Sequence, residues 1–297
     1  MINTLGEKYQ QDIKKETNLW NKAAESELKK FPPDYKYYKE TLPYKIYRHK
    51  YVMKMLSNIK PGDKVLELGC YNGWFSLEMA RRGVLVDAHD ISPKAIGIAK
   101  KYLRRRQKEE KFKGKVNYSV TDLNKVKFPK NTYDKIVIRN VLHHLTNLVS
   151  LFIQLRQTLK KGGKILVDDA LPCNMPEALI SGAFLFLLPT DIPYSQKLRR
   201  VFRKRNILKR TQGLVDACGA SPFEGVSGDK SVYYLTKNFK LLSYTTFAAF
   251  VGTISAHINI SNLFKMLLLQ LLNFLDVVLT KAKLIQGTGY YLVAKKN

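Results

Sequence analysis

Two carboxylates and two glycines stand at the ends of apolar runs in the first third of the chain. The spacing Glu67-x-Gly69-x-x-x-Gly73 overlaps the run KVLEL, and Asp90 closes the next apolar run. Glycine adopts backbone angles that other residues resist, and its missing side chain lets a ligand lie against the main chain. A carboxylate about twenty residues past such a turn can accept both hydroxyl hydrogens of a ribose. This pattern indicates a nucleoside-binding turn.

The glycine spacing differs from two common phosphate-binding loops. It lacks the G-x-G-x-x-G of a dinucleotide site and the G-x-x-x-x-G-K-[ST] of a phosphate-cradling loop. The sequence therefore does not support pyrophosphate recognition. An ordinary tight turn between a strand and a helix is the alternative interpretation.

Neighbouring histidines and aspartates follow two later apolar runs. His143 and His144 come after KIVIR, and Asp168 and Asp169 end the run KILVDD. An imidazole can remove a proton from a hydroxyl acceptor, and a carboxylate can orient that imidazole. His143, His144 and Asp168 are therefore the catalytic candidates, with Asp169 as the other aspartate that could orient a histidine. The alternative is that both histidines only pack and cap.

Strands and helices must alternate to position these residues. The predicted strands span residues 65–68, 84–88, 116–120, 135–139, 164–170, 239–250 and 287–295, and helices are predicted from Trp74, from Pro93 and over 148–159. Such alternation predicts an α/β domain with a mainly parallel sheet. Ligands of open α/β sheets bind outside the carboxyl ends of the strands, which is where the candidate residues fall.

The motifs together resemble those of class I S-adenosylmethionine-dependent methyltransferases, in the branch that acts on small molecules, lipids or glycans. The matching runs are KVLELGCYNGWFSLEMARR, DISPKAIGIAKK and YDKIVIRNVLHHL. One departure is Tyr71, which stands where many members have a middle glycine. The resemblance implies a Rossmann-like α/β fold whose seven-stranded mixed sheet has the order 3-2-1-4-5-7-6, with helices on both faces. It also implies S-adenosylmethionine as the cofactor.

The resemblance assigns roles to the cofactor-binding candidates. Asp90 would bind the ribose, and Asp122 would accept a hydrogen bond from the adenine amine, with the backbone N–H of Leu123 reading a ring nitrogen. The full set of predicted cofactor contacts is Glu67, Gly69, Cys70, Tyr71, Gly73, Asp90, Ile91, Asp122, Leu123 and Asn140.

The chain divides into four predicted segments around this site. Residues 1–60 form an N-terminal helical lid, and residues 61–170 form the cofactor-binding core. Residues 171–230 form a basic and apolar lid insertion, and residues 231–297 complete the sheet. An amphipathic helix is predicted over 262–280, inside the last segment. Its polar residues Lys265, Gln270, Asn273 and Asp276 argue against a transmembrane span. Packing on the lid, a dimer contact or peripheral membrane attachment remain open for it.

Positive charge is the compositional outlier. Lysine and arginine number 51 against 24 aspartate and glutamate, a formal net charge of +27 over 297 residues. Such a charge attracts polyanions, whether nucleic acid, an anionic membrane surface or a phosphorylated substrate. The densest cluster, KLRRVFRKRNILKR at 197–210, follows an apolar segment at 178–188 that is too short to span a bilayer. We expect the two to form a peripheral anchor or headgroup clamp. A lysine-rich composition with a solvated helix is the alternative.

The cysteines and the first thirty residues bear on location. Cys70, Cys173 and Cys218 are far apart without CxxC spacing, which suits a reducing compartment and argues against a zinc site. The N-terminal residues contain no apolar run of signal-peptide length. A cytoplasmic protein, peripheral at the membrane if the basic segment binds lipid, is expected.

Three functions follow from these motifs. The first is O- or N-methylation of a small-molecule, glycan or lipid-linked acceptor. RNA methylation, of tRNA in particular, is the alternative that the charge and the Tyr71 type of loop favour, although no RNA-binding motif is visible. A catalytically silent S-adenosylmethionine-binding module is the third.

Overall fold

A computed structural model describes residues 2–197, 221–223, 225 and 230–296 of the protein. Most of the basic segment predicted at 197–210 lies outside the described residues, as does Cys218. The elements below are numbered over the described part of the chain.

A single sheet of seven strands organises the described residues, and its order is β3-β2-β1-β4-β5-β7-β6. Strands β1 to β5 run parallel, and β7 runs antiparallel to both β5 and β6. The predicted order is confirmed. The bounds are β1 Lys64–Leu68, β2 Leu85–Asp90, β3 Lys115–Val120, β4 Tyr133–Arg139, β5 Leu159–Ala170, β6 Lys240–Phe247 and β7 Gly289–Lys295.

Helices cover both faces of this sheet. The bounds are α1 Ile2–Lys30, α2 Tyr35–Tyr38, a π-helical turn Tyr44–Arg48, α3 His49–Ser57, α4 Trp74–Arg81, α5 Pro93–Glu109, a 3₁₀ turn Leu142–His144, α6 Leu148–Thr158, α7 Met175–Leu187, α8 Lys230–Asn238, α9 Val251–His257 and α10 Asn262–Lys281. The helices predicted from Trp74, from Pro93 and near 148–159 and 262–280 are confirmed.

The central strands send alternate side chains into two apolar layers. On β4, Val137 packs into one layer, while Ile136 and Ile138 pack into the other, and all three are fully buried. On β1, Val65 packs into the same layer as Val137, and Leu66 packs into the other. Near-continuous apolar runs are therefore needed here, because a parallel strand is covered on both faces.

Two strand boundaries differ from the sequence prediction by more than two residues. β6 ends at Phe247 rather than near residue 250, because Ala248 has φ +56° and breaks the extended backbone. β5 begins at Leu159 rather than at Lys164, since Leu159 pairs with Tyr133 across an irregularity in the β4 ladder.

Helix α1 docks on the start of α5 and so reaches the carboxyl edge of the sheet. The Asn21 side-chain oxygen accepts hydrogen bonds from the Ser92 hydroxyl at 2.7 Å and from the Lys94 N–H at 3.1 Å. Lys94 also pairs with Glu25 of α1 at 2.7 Å. The helix is therefore held directly beside the tip of β2. The division of the chain into a lid, a core, a lid insertion and a C-terminal segment remains a prediction.

Candidate active site

The glycine turn after β1 requires its glycines for two different reasons. Gly69 has φ +76° and Gly73 has φ +78°, both in the left-handed region. A Cβ on Gly69 would lie 2.8 Å from the Cβ of Val141, on the loop after β4. A Cβ on Gly73 would overlap the Tyr118 hydroxyl, which donates a hydrogen bond to the Gly73 carbonyl. Gly69 thus keeps the two strand ends close, and Gly73 starts α4 by packing on β3.

Most of the sequence-predicted site residues line one cavity of about 490 Å³ at the carboxyl edge of the sheet. Helix α1 contributes Ile13, Glu16, Trp20 and Glu27 to the same wall. The predicted residues that line it are Glu67, Gly69, Cys70, Tyr71, Asp90, Ile91, Asp122, Leu123, Asn140, His143 and His144. The volume lies within the roughly 300–1,000 Å³ of small-molecule sites.

Asp90 presents a buried carboxylate to this cavity. One of its oxygens accepts the Tyr71 N–H at 2.8 Å, and the other accepts the Ser92 N–H at 2.9 Å. Burial raises the Asp90 pKa to about 6, although these N–H groups oppose the shift. An ionised carboxylate has about four acceptor positions, so Asp90 can also accept from a ribose on the cavity side.

Asp122 is engaged by the N-terminal helix. One oxygen accepts the Tyr9 hydroxyl at 2.8 Å, and the other accepts the Asn124 N–H at 3.0 Å. Burial and the contact with Asp122 raise the pKa of Tyr9, so this phenol stays protonated and donates. Tyr9 thus already donates a hydrogen bond to the carboxylate that, according to the resemblance, would accept one from the adenine amine.

Glu67 and Cys70 are buried at the base of the cavity. Glu67 accepts a short hydrogen bond from the Ser76 hydroxyl, and burial raises its pKa to about 7. Burial also raises the pKa of the Cys70 thiol, so it is not a thiolate nucleophile. Among the described residues, no group of three or more metal-binding side chains is placed to hold a metal ion.

His143 is held by a buried carboxylate from the next strand. Its Nδ1 makes a short hydrogen bond with Asp169, which also accepts the Val141 N–H at 3.0 Å and the Leu142 N–H at 2.7 Å. Burial would raise the Asp169 pKa, but His143 and the backbone donors outweigh it and hold the pKa below its usual value. Ionised Asp169 can only accept, so the Nδ1–H of His143 is the donor of this hydrogen bond.

Of the two aspartates considered as orienting groups, Asp169 is the one that contacts His143. Adjacent residues of a strand point to opposite faces, and Asp168 lies on the other side of β5. There its carboxylate is 3.8 Å from Arg48 and 3.7 Å from Arg139. A catalytic role for Asp168 has no support from its position beside these arginines.

His144 lies between α1 and the site. Its Nδ1 is 3.4 Å from Glu16 and 3.3 Å from the Ser221 hydroxyl, and Trp20 meets its ring edge-on. Burial and the neighbouring His143 lower the His144 pKa to about 3, so His144 is neutral near pH 7. This environment fits the packing and capping role better than proton transfer.

Two arginines share the Asp168 carboxylate on a wall of the same cavity. Arg139 is buried, and its guanidinium lies 4.5 Å from the ring centre of Trp74. It also donates a long hydrogen bond of 3.5 Å to the Tyr44 hydroxyl. Its Nε has no hydrogen-bond partner among the described residues. Arg48, Arg139, Tyr44 and Trp74 all line the cavity. Glu67 lines it too and lies close enough to Arg139 for each charge to affect the pKa of the other.

A family model described as a methyltransferase domain matches residues 38–207, which cover the glycine turn, both aspartate-bearing strand tips and the histidine loop. The chain belongs to this family. The fold and the family together make it a class I S-adenosylmethionine-dependent methyltransferase.

The methyltransferase is similar to several curated proteins over part of its length. It is 33% identical over 121 residues to phosphoethanolamine N-methyltransferase 3 of Arabidopsis thaliana, a match that covers 40% of this chain and 23% of that protein. It is 25% identical over 162 residues to the mitochondrial ubiquinone biosynthesis O-methyltransferase of Schizosaccharomyces pombe, covering 54% and 58%. The matches thus span about a quarter of the first relative and over half of the second.

Solved structures share the fold. Geranyl diphosphate C-methyltransferase from Streptomyces coelicolor, in complex with Mg²⁺, geranyl diphosphate and S-adenosylhomocysteine, gives a TM-score of 0.51 at 11% identity. That comparison covers 84% of this chain and 78% of that one. At this identity the comparison concerns the fold alone.

The methyltransferase uses S-adenosylmethionine, and its own residues fit this cofactor. Asp90 offers acceptor positions for a ribose, Gly69 leaves room along the main chain, and Asp122 stands at the neighbouring strand tip. When bound, the cofactor supplies an electrophilic methyl group on a sulfonium. The chain holds it in place and excludes water.

Sequence reasoning assigned no role to four residues that build this site. They are Tyr9, Glu16, Arg48 and Arg139. Arg139 was visible as a cation directly after the apolar run IVI at the end of β4, which is a signal because a buried charge needs a partner. The two α1 residues carried no such signal.

Proposed function

We propose that the protein transfers a methyl group to an oxygen or nitrogen of a small-molecule, glycan or lipid-linked acceptor that carries an anionic group. The observation that carries this proposal is the meeting of two features in one cavity. One is the His143–Asp169 pair, and the other is the wall where Arg48 and Arg139 share Asp168.

The arginine wall favours an anion because Arg48 and Arg139 share the Asp168 carboxylate, while the nearby Glu67, whose pKa burial raises to about 7, is only partly ionised near pH 7. Arg139 is buried behind Trp74 and contacts Asp168 at 3.7 Å, beyond ideal hydrogen-bond distance. A phosphate or carboxylate of the acceptor would supply the missing acceptors for the guanidinium, whose fork geometry suits such groups. Binding of this anionic group, remote from the reacting atom, would then position the methyl-accepting atom of the substrate.

His143 is the candidate general base of this reaction. Asp169 fixes its ring and stabilises the imidazolium that would form when Nε2 accepts a proton. The nucleophile becomes reactive as this proton leaves, whether it is a hydroxyl or a protonated amine. The other residues orient the acceptor, and α1 covers the cavity against water.

The relatives suggest a first acceptor to test. Several curated proteins similar to this chain are named phosphoethanolamine N-methyltransferases. Phosphoethanolamine carries an amine that can be methylated and a phosphate that suits the arginine wall. A phenolic acid is the matching oxygen acceptor, in keeping with the relative named for ubiquinone O-methylation.

Transfer of labelled methyl groups from S-adenosylmethionine tests the proposal. The protein is incubated separately with phosphoethanolamine, ethanolamine, a phenolic acid, its neutral phenol and total tRNA. We expect label in an anionic acceptor in preference to its neutral counterpart, and little label when His143→Ala replaces the wild type. Label in tRNA alone would establish the RNA alternative, which the net charge of +27 favours. Cofactor binding without transfer to any acceptor, including a fractionated cell extract, would indicate a silent binding module.

A further inference from the structure

Helix α10 exposes a continuous apolar stripe. Residues three or four apart along a helix lie on one face, and the large apolar side chains here follow that spacing. They are between 41% and 71% exposed. The stripe consists of Leu263, Phe264, Leu267, Leu271, Phe274, Leu275 and Val278.

The opposite face of α10 fixes the helix to the fold. Leu269 and Leu272 are buried in the apolar layer that also contains α3 and α9 residues. Asp276 is fully buried and accepts the N–H groups of Phe250 at 3.0 Å and Val251 at 3.1 Å, at the start of α9. The stripe is therefore held outward by packing and by two buried hydrogen bonds.

These attachments decide how the helix can meet a lipid phase. Among the described residues, α10 is the one helix long and apolar enough to cross a membrane by length and composition. The polar residues of α10 do not by themselves exclude a transmembrane helix. A span would, however, pull Leu269, Leu272 and Asp276 out of the fold and place the carboxylate in hydrocarbon. An orientation parallel to the surface keeps all three contacts and buries only the stripe.

The charge around α10 favours an anionic surface. Asp276 is the one acidic residue of the helix, and it is buried. Lys281 and Lys283 at its C-terminal end are exposed, as are Lys50 and Lys54 of α3. Burial and the charges of Lys54 and Lys281 lower the Lys50 pKa, against the opposing charge of Asp276. A second copy of the chain would bring like charges together, since each carries a net +27.

We propose that α10 lies flat on an anionic lipid bilayer, with its apolar stripe inserted among the acyl chains and the lysines at its C-terminal end on the headgroups. This surface is independent of the methyl-transfer cavity, so its test needs no acceptor. It also differs from the basic segment at 197–210, which stays a separate prediction.

Co-sedimentation with vesicles tests the proposal on the full chain. We expect binding to vesicles of phosphatidylcholine mixed with phosphatidylglycerol, weaker binding to phosphatidylcholine alone, and partial release by salt. The variant Phe264→Gln/Leu267→Gln/Phe274→Gln should bind at least about tenfold more weakly, because three inserted side chains lose their apolar burial. The matched control Val149→Gln/Ile153→Gln/Tyr233→Gln changes exposed apolar residues of α6 and α8 and should bind like the wild type.

A second variant protects the test against misfolding. Phe264→Ser alone changes a side chain that is 67% exposed, so it should keep the wild-type unfolding temperature and still bind more weakly. The proposal fails if the wild type does not sediment with anionic vesicles, or if the triple variant in α10 sediments as well as the wild type. It also fails if sedimentation velocity shows a dimer that the triple variant disperses while vesicle binding is absent.

Discussion

Asp90→Ala tests the ribose subsite most directly. The Asp90 carboxylate lines the cavity and binds the backbone N–H groups of Tyr71 and Ser92. Each hydrogen bond that a ribose hydroxyl donates to this charged group would contribute about 1.5–3 kcal/mol. Losing two of them should weaken S-adenosylmethionine binding by about 3–6 kcal/mol, or roughly 10²- to 10⁴-fold in Kd. Isothermal titration calorimetry measures this change.

The control for this prediction is Asp87→Ala on the same strand. Asp87 accepts hydrogen bonds from Asn117 and Tyr133, so its loss removes a carboxylate of β2 without removing the Asp90 contacts. Thermal unfolding must accompany the titration, because Asp90→Ala also removes the acceptor of two backbone N–H groups. Asp90→Asn keeps the side-chain volume if the alanine variant is unstable. A folded Asp90 variant with Kd within about twofold of the wild type would refute the ribose assignment, as would an equal loss in Asp87→Ala.

Four further predictions address the same cavity. Cofactor affinity should fall as pH drops below about 6, because the raised pKa of Asp90 leaves it protonated there and a protonated carboxyl is a weaker acceptor. Binding titrations from pH 5 to pH 8 check this. An Asp90→Asn variant should lack the pH dependence. His143→Ala should lower turnover by roughly 10²- to 10⁴-fold with cofactor Kd nearly unchanged, so full activity would remove it from the chemistry. Arg139→Met should raise KM for an anionic acceptor about tenfold or more, with little effect on a neutral analogue; equal effects on both would point to a structural role. Tyr9→Phe should tighten cofactor binding by up to about tenfold, since Asp122 loses a competing donor, and weaker binding would contradict that competition.

The fold could be predicted because its signals are local. The apolar run of β1, the turn glycines and the first residues of α4 are adjacent in the chain, and parallel strands covered on both faces need such runs. The end of β6 could not be predicted, because the left-handed backbone at Ala248 leaves no mark in residue type. Alanine rarely adopts that conformation.

The cofactor-binding residues could also be predicted from the sequence, whereas the residues on the acceptor side of the cavity could not. Asp90 ends β2, while Gly69 and Asp122 lie just past the ends of β1 and β3, so topology alone brings them to one edge. The contact between Tyr9 and Asp122 joins residues 113 positions apart. No periodicity of α1 indicates which of its side chains reaches the cavity. Contacts of this kind depend on how a helix docks, which local propensity does not determine.

The choice between Asp168 and Asp169 depends on the register of β5. The pleat sends adjacent side chains to opposite faces, so Asp169 meets His143 while Asp168 meets Arg139. A slip of one residue against β4 would exchange the two carboxylates and leave the base without its partner. β7 pairs with β5 through this region, with Asp169 opposite Tyr290, so the register is fixed from both sides. The C-terminal strand thus determines which carboxylate orients the candidate base, although it contributes no residue to the cavity wall.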